Sequence, residues 1–326
     1  MKSILYILVI ISFFSCKQDL SLIQLSGPVF GTTYNIQYYT PEGKNYSAAI
    51  DSLFAQVNLS MSNYQDNSII SKININESQT VDQHFITVFN ASKKIYNETE
   101  GVFDPTIGSL VNYWNFGAQK NEQAIDSSKV DSLVKFVDFS KVTITHKTIQ
   151  KLDQTYLDFN AIAKGYGIDV IADFLKDQNI ENFLIEIGGE VHVSGKNINK
   201  DAFWKIGLQN PNFNGETNYS NIISLKNEAM ATSGVYRKFK IDHLGNRYAH
   251  IINTKTGYPS KTNILSVSVI TENCMLADGY ATALQAMDLS AIKQFLEKNK
   301  NLKACVIFEN SNKEFETLYL NGFFVN

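Results

Sequence analysis

Apolar residues recur along the N-terminal third of the chain with two different periods. Between residues 33 and 39 apolar and polar side chains alternate, and this period of two predicts a half-buried β-strand. Across 47–59, and again across 85–96, apolar residues recur at every third or fourth position, which is typical of amphipathic helices. The second helix is predicted to end before Gly101, and a polar loop at 61–68 separates the two helices.

The rest of the chain predicts more strands than helices. Helices are predicted from Ala163 onward, at 274–287 and at 291–298, where apolar side chains again follow the helical period. Short strands are predicted at 142–145, 155–159, 183–187, 191–193, 204–208, 221–225, 248–252, 265–270, 304–308 and 315–319. Because the strands come in runs and do not alternate strictly with helices, the order favours an α+β fold, with a largely antiparallel or mixed sheet layered with helices.

One predicted strand-to-helix junction concentrates polar side chains. Between the strand at 155–159 and the helix that begins at Ala163, the chain carries Asp158 and Asn160, and Lys164 follows in the first helical turn. The free amide groups of a first helical turn attract anions, so this junction is a candidate ligand site. A simple helix cap explains the same residues, and the junction alone does not separate the two interpretations.

A second candidate site lies in the predicted helix at 274–287. Asp278 and Thr282 are one helical turn apart, so they share a helix face. A carboxylate and a hydroxyl in this arrangement offer two hard oxygen ligands, which suits Mg²⁺. The alternative is that Asp278 caps the helix while Thr282 packs, and the pattern leaves both open.

Large aromatic residues are concentrated between Gly101 and Gly117. The segment 111–117 contains Tyr113, Trp114 and Phe116. The preceding segment, 101–108, has turn residues at both ends. The sequence predicts a loop here. Such loops close the edge of a core or form the flat apolar wall of a cofactor pocket, and composition does not decide between these roles.

Composition narrows the classes of function. The 326 residues are 44% hydrophobic, enough for a sizeable core in one large domain or two interleaved lobes. The net charge is -3 and there is no block of lysines and arginines, so we do not expect a nucleic acid partner. Cys274 and Cys305 have apolar neighbours and are predicted to be buried, while the sequence leaves open whether they pair.

The N-terminus has the layout of a secretory signal. Lys2 is followed by an apolar run at 4–14 and then by Ser15 and Cys16, an ending that resembles the lipobox of bacterial lipoproteins. We therefore expect a signal peptide at 1–16, lipidation at Cys16, a tether at 17–25 and one folded domain at 26–326. An ordinary signal peptide that contains a cysteine remains the alternative.

Several segments, in this order, carry a resemblance to a known family. They are Phe-Gly-Thr-Thr-Tyr, Met-Ser-Asn-Tyr, Phe-Asp-Pro-Thr-Ile-Gly, Asp-Phe-Asn-Ala-Ile-Ala-Lys-Gly-Tyr, Ile-Gly-Gly-Glu, Ala-Thr-Ser-Gly, His-Ile-Ile-Asn-Thr-Lys-Thr-Gly-Tyr-Pro and Ala-Asp-Gly-Tyr-Ala-Thr-Ala. Across about residues 26–325 the chain resembles the ApbE family of bacterial FAD:protein FMN transferases. The resemblance implies a T-fold-like α–β roll and makes residues 26–326 the flavin transferase domain.

The resemblance also implies roles for individual residues. Contacts to FAD fall on Phe30, Tyr64, Trp114, Asn115, Phe116, Asp158, Lys164 and Ile252. Mg²⁺ would be held by the carbonyl of Ala161 and by the side chains of Asp278 and Thr282, and His250 matches the proposed catalytic base. A purely structural role for His250 stays open.

The chain departs from the family pattern beside two of these residues. Asn253-Thr254 replaces the usual Asp-Pro after His250, which puts the geometry of that turn in doubt. Phe159-Asn160 replaces Leu-Gly, which puts the backbone beside Ala161 in doubt.

The implied activity is the Mg²⁺-dependent transfer of the FMN moiety of FAD, through a phosphoester bond, to a threonine of acceptor proteins, with release of AMP. Hydrolysis of FAD to FMN and AMP would use the same residues, and a non-catalytic flavin-binding lipoprotein is a third hypothesis. With the lipid anchor, the sequence predicts an enzyme on the periplasmic side of a Gram-negative inner membrane, acting on membrane-associated or periplasmic acceptors.

Overall fold

The described part of the chain is built on an antiparallel sheet whose strands come from both its N-terminal and its C-terminal ends. The computed structural model describes residues 20–211, 219–235, 239–241 and 247–323. Its strands are β1 (Leu20–Val29), β2 (Thr32–Pro41), β3 (Thr143–Thr145), β4 (Thr148–Gln150), β5 (Phe183–Ile187), β6 (Glu190–Ser194), β7 (Trp204–Gln209), β8 (Tyr219–Leu225), β9 (Ala229–Gly234), β10 (Phe239–Ile241), β11 (Arg247–Ala249), β12 (Ile264–Thr271), β13 (Lys303–Glu309) and β14 (Phe315–Leu320). Its helices are α1 (Ser47–Met61), α2 (Ile69–Asn74), α3 (Gln83–Glu98), α4 (Gly108–Tyr113), α5 (Ser127–Val134), α6 (Ala163–Asp177), α7 (Cys274–Gln285) and α8 (Leu289–Lys298).

Eight strands form the main sheet in the order β1-β2-β5-β6-β9-β12-β13-β14, and each neighbouring pair is antiparallel. Helices α1 and α6 pack on one face around Ile36 and Ile185, and α3 and α7 pack beside them around Val267 and Val269. The β7–β8 hairpin covers part of the opposite face through Trp204. Both faces of the central strands are therefore buried, as the continuous burial of β12 shows.

The predicted fold class is confirmed, and so are most of the predicted elements. The α+β order, the antiparallel sheet and the helices at α1, α3, α6, α7 and α8 all appear in the structure. Periodicity identifies these helices because each buries one apolar face, against the sheet or against a neighbouring helix. Helix α6 begins at Ala163, the residue at which the sequence places its start.

Three local predictions are wrong. The expected strand at 155–159 is an irregular segment, because Tyr156 forms only an isolated bridge with Ile107. The strand predicted at 248–252 ends with β11, and Ile252 forms an isolated bridge with Pro259. The aromatic segment predicted as a loop contains the six-residue helix α4.

The predicted tether at 17–25 is also too long. Strand β1 begins at Leu20 and pairs with β2 over its whole length, from Leu20 opposite Pro41 to Val29 opposite Thr32. The folded domain therefore includes at least residues 20–25. The predicted signal peptide and Cys16 lie outside the described residues.

Two further observations concern the two buried cysteines and the length of the helices. Cys274 and Cys305 are both buried and both free, so they do not form a disulfide with each other. None of the helices in the described ranges is long and apolar enough to cross a membrane.

Candidate active site

A cavity of about 1140 Å³ opens between the helical layer and one part of the sheet. Ligand pockets usually span about 300–1,000 Å³, so this cavity has room for a large ligand. It gathers most of the predicted site residues, namely Phe30, Tyr64, Phe116, Asp158, Ala161, Lys164, His250, Ile252, Asp278 and Thr282. Their segments are widely separated in the sequence, so the fold brings them together.

The floor of the cavity is formed where α6 and α7 approach closely. Gly165 allows this approach, because a Cβ at that position would overlap the carbonyl group of Cys274. The backbone N–H of Gly165 donates a hydrogen bond of 3.0 Å to Oδ2 of Asp278. Lys164, beside Gly165, extends its ammonium to within 2.6 Å of Oε2 of Glu190, which begins β6. Three charged side chains thus meet on the floor.

Burial and mutual charge shift the pKa values of this cluster. Burial raises the pKa of Asp278 to about 7, although the positive charge of Lys164 lowers it, and the carboxylate of Glu190 raises it further. Burial alone lowers the pKa of Lys164, but the negative charges of Glu190 and Asp278 outweigh burial and hold this pKa above its usual range. Lys164 is therefore positively charged at neutral pH, and the ionised form of Asp278 gains from a nearby cation.

The oxygen donors on the floor fit a small hard cation. Asp278 and Thr282 both line the cavity from α7, and Ala161 lines it just before α6. The part of the chain that the structure describes has no cluster of three or more His, Cys, Asp or Glu residues suited to a metal. One carboxylate with a hydroxyl and a carbonyl is a sparse donor set, and Mg²⁺ tolerates this because it keeps water or phosphate oxygens as its other ligands.

A buried aspartate behind the floor fixes the two helices to each other. Asp169 of α6 accepts hydrogen bonds from the backbone N–H groups of Cys274, at 2.9 Å, and Met275, at 2.8 Å, which are the first two residues of α7. Nδ1 of His192 lies 2.8 Å from the same carboxylate. This contact places His192 in the core, as its predicted strand position indicates. No sequence pattern identified Asp169, because its partners lie on other elements.

His250 forms part of the opposite wall. Its ring lies edge-on to Phe116, with 6.4 Å between ring centroids. The turn after His250 is well formed despite the departure from the family pattern. Oδ1 of Asn253 accepts hydrogen bonds from the backbone N–H groups of Lys255 and Thr256, at 2.9 and 3.0 Å. Asparagine therefore provides the same type of acceptor that aspartate would.

The second departure is also accommodated. Asn160 does not adopt a left-handed backbone conformation, so glycine is not needed there. Its N–H donates to Oδ1 of Asp158 at 2.7 Å, and the N–H of Ala163 donates to the carbonyl of Phe159 at 2.8 Å. These bonds form a turn that leaves Ala161 on the cavity wall.

Trp114 and Asn115 are not among the residues that line the cavity. The indole Nε1 of Trp114 donates to the carbonyl of Gly257 at 2.8 Å. The side chain of Asn115 forms two hydrogen bonds with the backbone of Asn121, at 2.8 and 2.7 Å. In this structure the two residues form hydrogen bonds behind the cavity lining, and the prediction that they contact FAD stays a prediction.

Glu190 is a charged lining residue that no sequence pattern predicted as part of the site. It follows Gly188 and Gly189, whose positive φ angles of 61° and 105° make the tight turn between β5 and β6. The motif Ile-Gly-Gly-Glu indicates this turn through its two glycines, but it does not indicate a partner for the carboxylate. Glu190 is 3% exposed and faces Lys164 across the floor.

Fold and cavity together define an α+β protein whose cavity has one ammonium and two carboxylates on its floor and aromatic residues on its walls. With a cation held at the carboxylates, this arrangement suits a large anionic ligand. A sequence model described as the ApbE family matches residues 30–306. The FAD:protein FMN transferase of Vibrio cholerae is 36% identical over 282 residues, which cover 83% of each chain. The FAD:protein FMN transferase of Haemophilus influenzae is 33% identical over 326 residues, covering 95% of this chain and 93% of the relative.

A solved structure agrees with these matches. The flavin transferase ApbE from Vibrio cholerae superposes with a TM-score of 0.84 at 34% identity, covering 94% of this chain and 99% of that chain. The present chain belongs to the ApbE family. The resemblance in the sequence motifs is thereby confirmed over almost the whole described fold.

Proposed function

We propose that this protein is an FAD:protein FMN transferase, which moves the FMN part of FAD onto an acceptor protein and releases AMP. The observation that carries the proposal is the convergence in one cavity of His250, the Lys164–Glu190 pair, and Asp278 with Thr282. Relatives of matching length bear that activity in their names. A histidine facing a charged floor supports chemistry in addition to binding.

The floor is suited to the pyrophosphate of FAD. Lys164 supplies a positive charge, and Asp278, Thr282 and the carbonyl of Ala161 are the proposed holders of Mg²⁺. When bound, Mg²⁺ would offset the negative charge that the phosphate oxygens carry in phosphoryl transfer. The aromatic residues Phe30, Tyr64 and Phe116 offer flat apolar surface to the ring systems of FAD.

His250 is the proposed general base. It removes the proton from a threonine hydroxyl of the acceptor, and the hydroxyl oxygen forms a bond to the phosphorus that carries riboflavin. The bond between that phosphorus and the bridging pyrophosphate oxygen breaks, and AMP leaves with the electron pair. The acceptor then carries FMN through a phosphoester bond. In this scheme His250 on the wall supplies the base, and Lys164 with the bound Mg²⁺ on the floor offsets the negative charge of the phosphates.

Intact-mass measurement tests this function directly. The protein is incubated with FAD, Mg²⁺ and candidate acceptor domains, and the mass of each protein and the amount of AMP are measured. An acceptor that gains the mass of FMN less water, with an equal amount of AMP, supports the proposal. FMN and AMP without a modified protein would indicate FAD hydrolysis, and flavin binding without AMP would indicate a binding protein.

We further propose that Cys16 is lipidated and that the enzyme is held at the periplasmic side of the inner membrane. The proposal rests on the apolar run at 4–14 followed by Ser15 and Cys16. The protein expressed with its signal should fractionate with membranes, and Cys16→Ser should appear in the soluble periplasm. Identical fractionation of the two proteins would contradict the anchor.

A further inference from the structure

The cavity floor has an unequal distribution of charge. Lys164 is paired with Glu190 through a contact of 2.6 Å, whereas within the described ranges no Lys, Arg or His nitrogen lies within ion-pair distance of Asp278. All three side chains line the same cavity. The cluster thus contains one positive and two negative groups, and only one of the two carboxylates has the lysine as its partner.

Burial makes this pairing strong. Glu190 is 3% exposed, and within the described part of the chain its buried Oε2 has no partner other than the ammonium of Lys164. A buried carboxylate without a cation or a hydrogen-bond donor is strongly unfavourable. Lys164 is therefore held by Glu190 at the start of β6. Among the described residues, the neutral N–H of Gly165 donates to the carboxylate of Asp278 at 3.0 Å.

We propose that Glu190 is a positioning residue that engages Lys164 and thereby leaves the carboxylate of Asp278 available to a divalent cation. This inference rests on the proposed function, in which Asp278 holds Mg²⁺. Without the charge on Glu190, the ammonium of Lys164 would turn to the carboxylate of Asp278. It would then compete with the cation for the same oxygens. In the proposed reaction Glu190 is not assigned a contact with the acceptor hydroxyl or with the phosphorus. It acts through Lys164.

Removal of this charge should have opposite effects on the two kinds of ligand. In Glu190→Gln the floor loses one negative charge, so a cation is attracted less and also meets competition from Lys164. An anionic ligand meets less repulsion from the same floor. We expect the affinity for Mg²⁺ alone to fall by roughly tenfold, and the affinity for FAD in a metal-free buffer to rise by roughly threefold, effects of the size that one partly screened charge produces. A general disruption of the cavity would weaken the binding of both Mg²⁺ and FAD.

The chain offers a matched control on the same hairpin. Glu186 of β5 accepts hydrogen bonds from the N–H of Gly189, at 2.6 Å, and from Nδ2 of Asn35, at 2.7 Å, and it does not line the cavity. Glu186→Gln makes the same change of net charge beside the same turn. We expect both of its affinities to lie within about twofold of the wild type, because Glu186 lies outside the cavity and is only half-buried, so its charge is better screened than that of Glu190.

A double variant tests the competition itself. In Lys164→Met with Glu190→Gln the competing ammonium is absent, so the affinity for Mg²⁺ should recover to within about threefold of the wild type. Asp278→Asn serves as the reference in which Mg²⁺ binding at this site is lost. Circular dichroism and thermal unfolding confirm that each variant is folded, and the double variant tests the proposal even if the single variant is unstable.

The experiment is a calorimetric titration with MgCl₂ alone and a flavin-fluorescence titration with FAD in EDTA, on the full chain and all variants. Opposite shifts in Glu190→Gln, with recovery in the double variant, support the proposal. Equal losses of both affinities, values equal to those of Glu186→Gln, or no recovery in the double variant would overturn it while leaving the transferase proposal intact. A wild type that binds neither Mg²⁺ nor FAD would overturn the proposed function as well.

Discussion

The indole Nε1 of Trp114 donates a hydrogen bond of 2.8 Å to the carbonyl oxygen of Gly257, in the loop that begins at His250. The same loop is held by Thr254, whose hydroxyl donates to the carbonyl of Gly101 at 2.8 Å. Gly257 also packs so closely that a Cβ there would crowd Val130. The aromatic segment therefore supports the wall that carries His250.

The first prediction concerns this support. Trp114→Phe keeps an aromatic ring but removes the N–H donor, so the loop is less well fixed. We expect the FMN transfer rate to fall by roughly tenfold, because small displacements of a catalytic group are costly, while FAD affinity stays within about twofold. Turnover and flavin-fluorescence titrations measure the two quantities. Tyr64→Ala is the reference for a residue that lines the cavity. If Trp114→Phe lost as much FAD affinity as Tyr64→Ala, Trp114 would contact the ligand and would not support the wall.

The second prediction concerns the base. His250→Ala should slow FMN transfer by roughly 10²–10⁴-fold, the usual range for a lost general base, with little change in FAD affinity. His84→Ala is the matched control, since Nδ1 of His84 contacts the hydroxyl of Tyr166 at 2.8 Å and His84 does not line the cavity. Parallel losses of rate and affinity in the His250 variant would assign it a structural role.

The third prediction concerns the floor. Asp278→Ala should abolish AMP release from FAD and the thermal stabilisation by Mg²⁺, because the only carboxylate of the proposed donor set is removed. Asp173→Ala, on the solvent side of α6, changes the net charge equally and should keep both properties. Normal turnover of FAD with Mg²⁺ by the Asp278 variant would show that the metal site lies elsewhere.

The fourth prediction concerns the approach of α6 to α7. In Gly165→Ala the added Cβ would overlap the backbone of Cys274, which cannot move without shifting α7. We expect a loss of about 1–3 kcal/mol in the free energy of unfolding and a weaker response to Mg²⁺. Chemical denaturation and thermal shift with MgCl₂ provide the measurements. An unchanged free energy of unfolding would mean that the two helices separate readily at this point.

The sequence by itself determined the elements whose stability comes from one amphipathic face. Helices α1, α3, α6 and α7 and strand β5 appear where the period of apolar residues places them. The helix spacing of Asp278 and Thr282 was sufficient to put both on one face, and the structure turns that face to the cavity. The roles of the other site residues followed only from the resemblance of the ordered motifs to the ApbE family, because no local pattern assigns them.

The tertiary structure alone decided which side chains meet. Residues 20–25, the first part of β1, were predicted to belong to a tether because their stability comes from pairing with β2. The segment 155–159 has strand-like residues but only one bridge partner. Trp114 lies behind the wall, and Glu190 meets Lys164, through contacts between residues far apart in the chain. Local periodicity reports which face of an element is apolar. It carries no information about which distant charge or carbonyl will lie opposite, and in this protein those contacts arrange the cavity floor and the His250 wall.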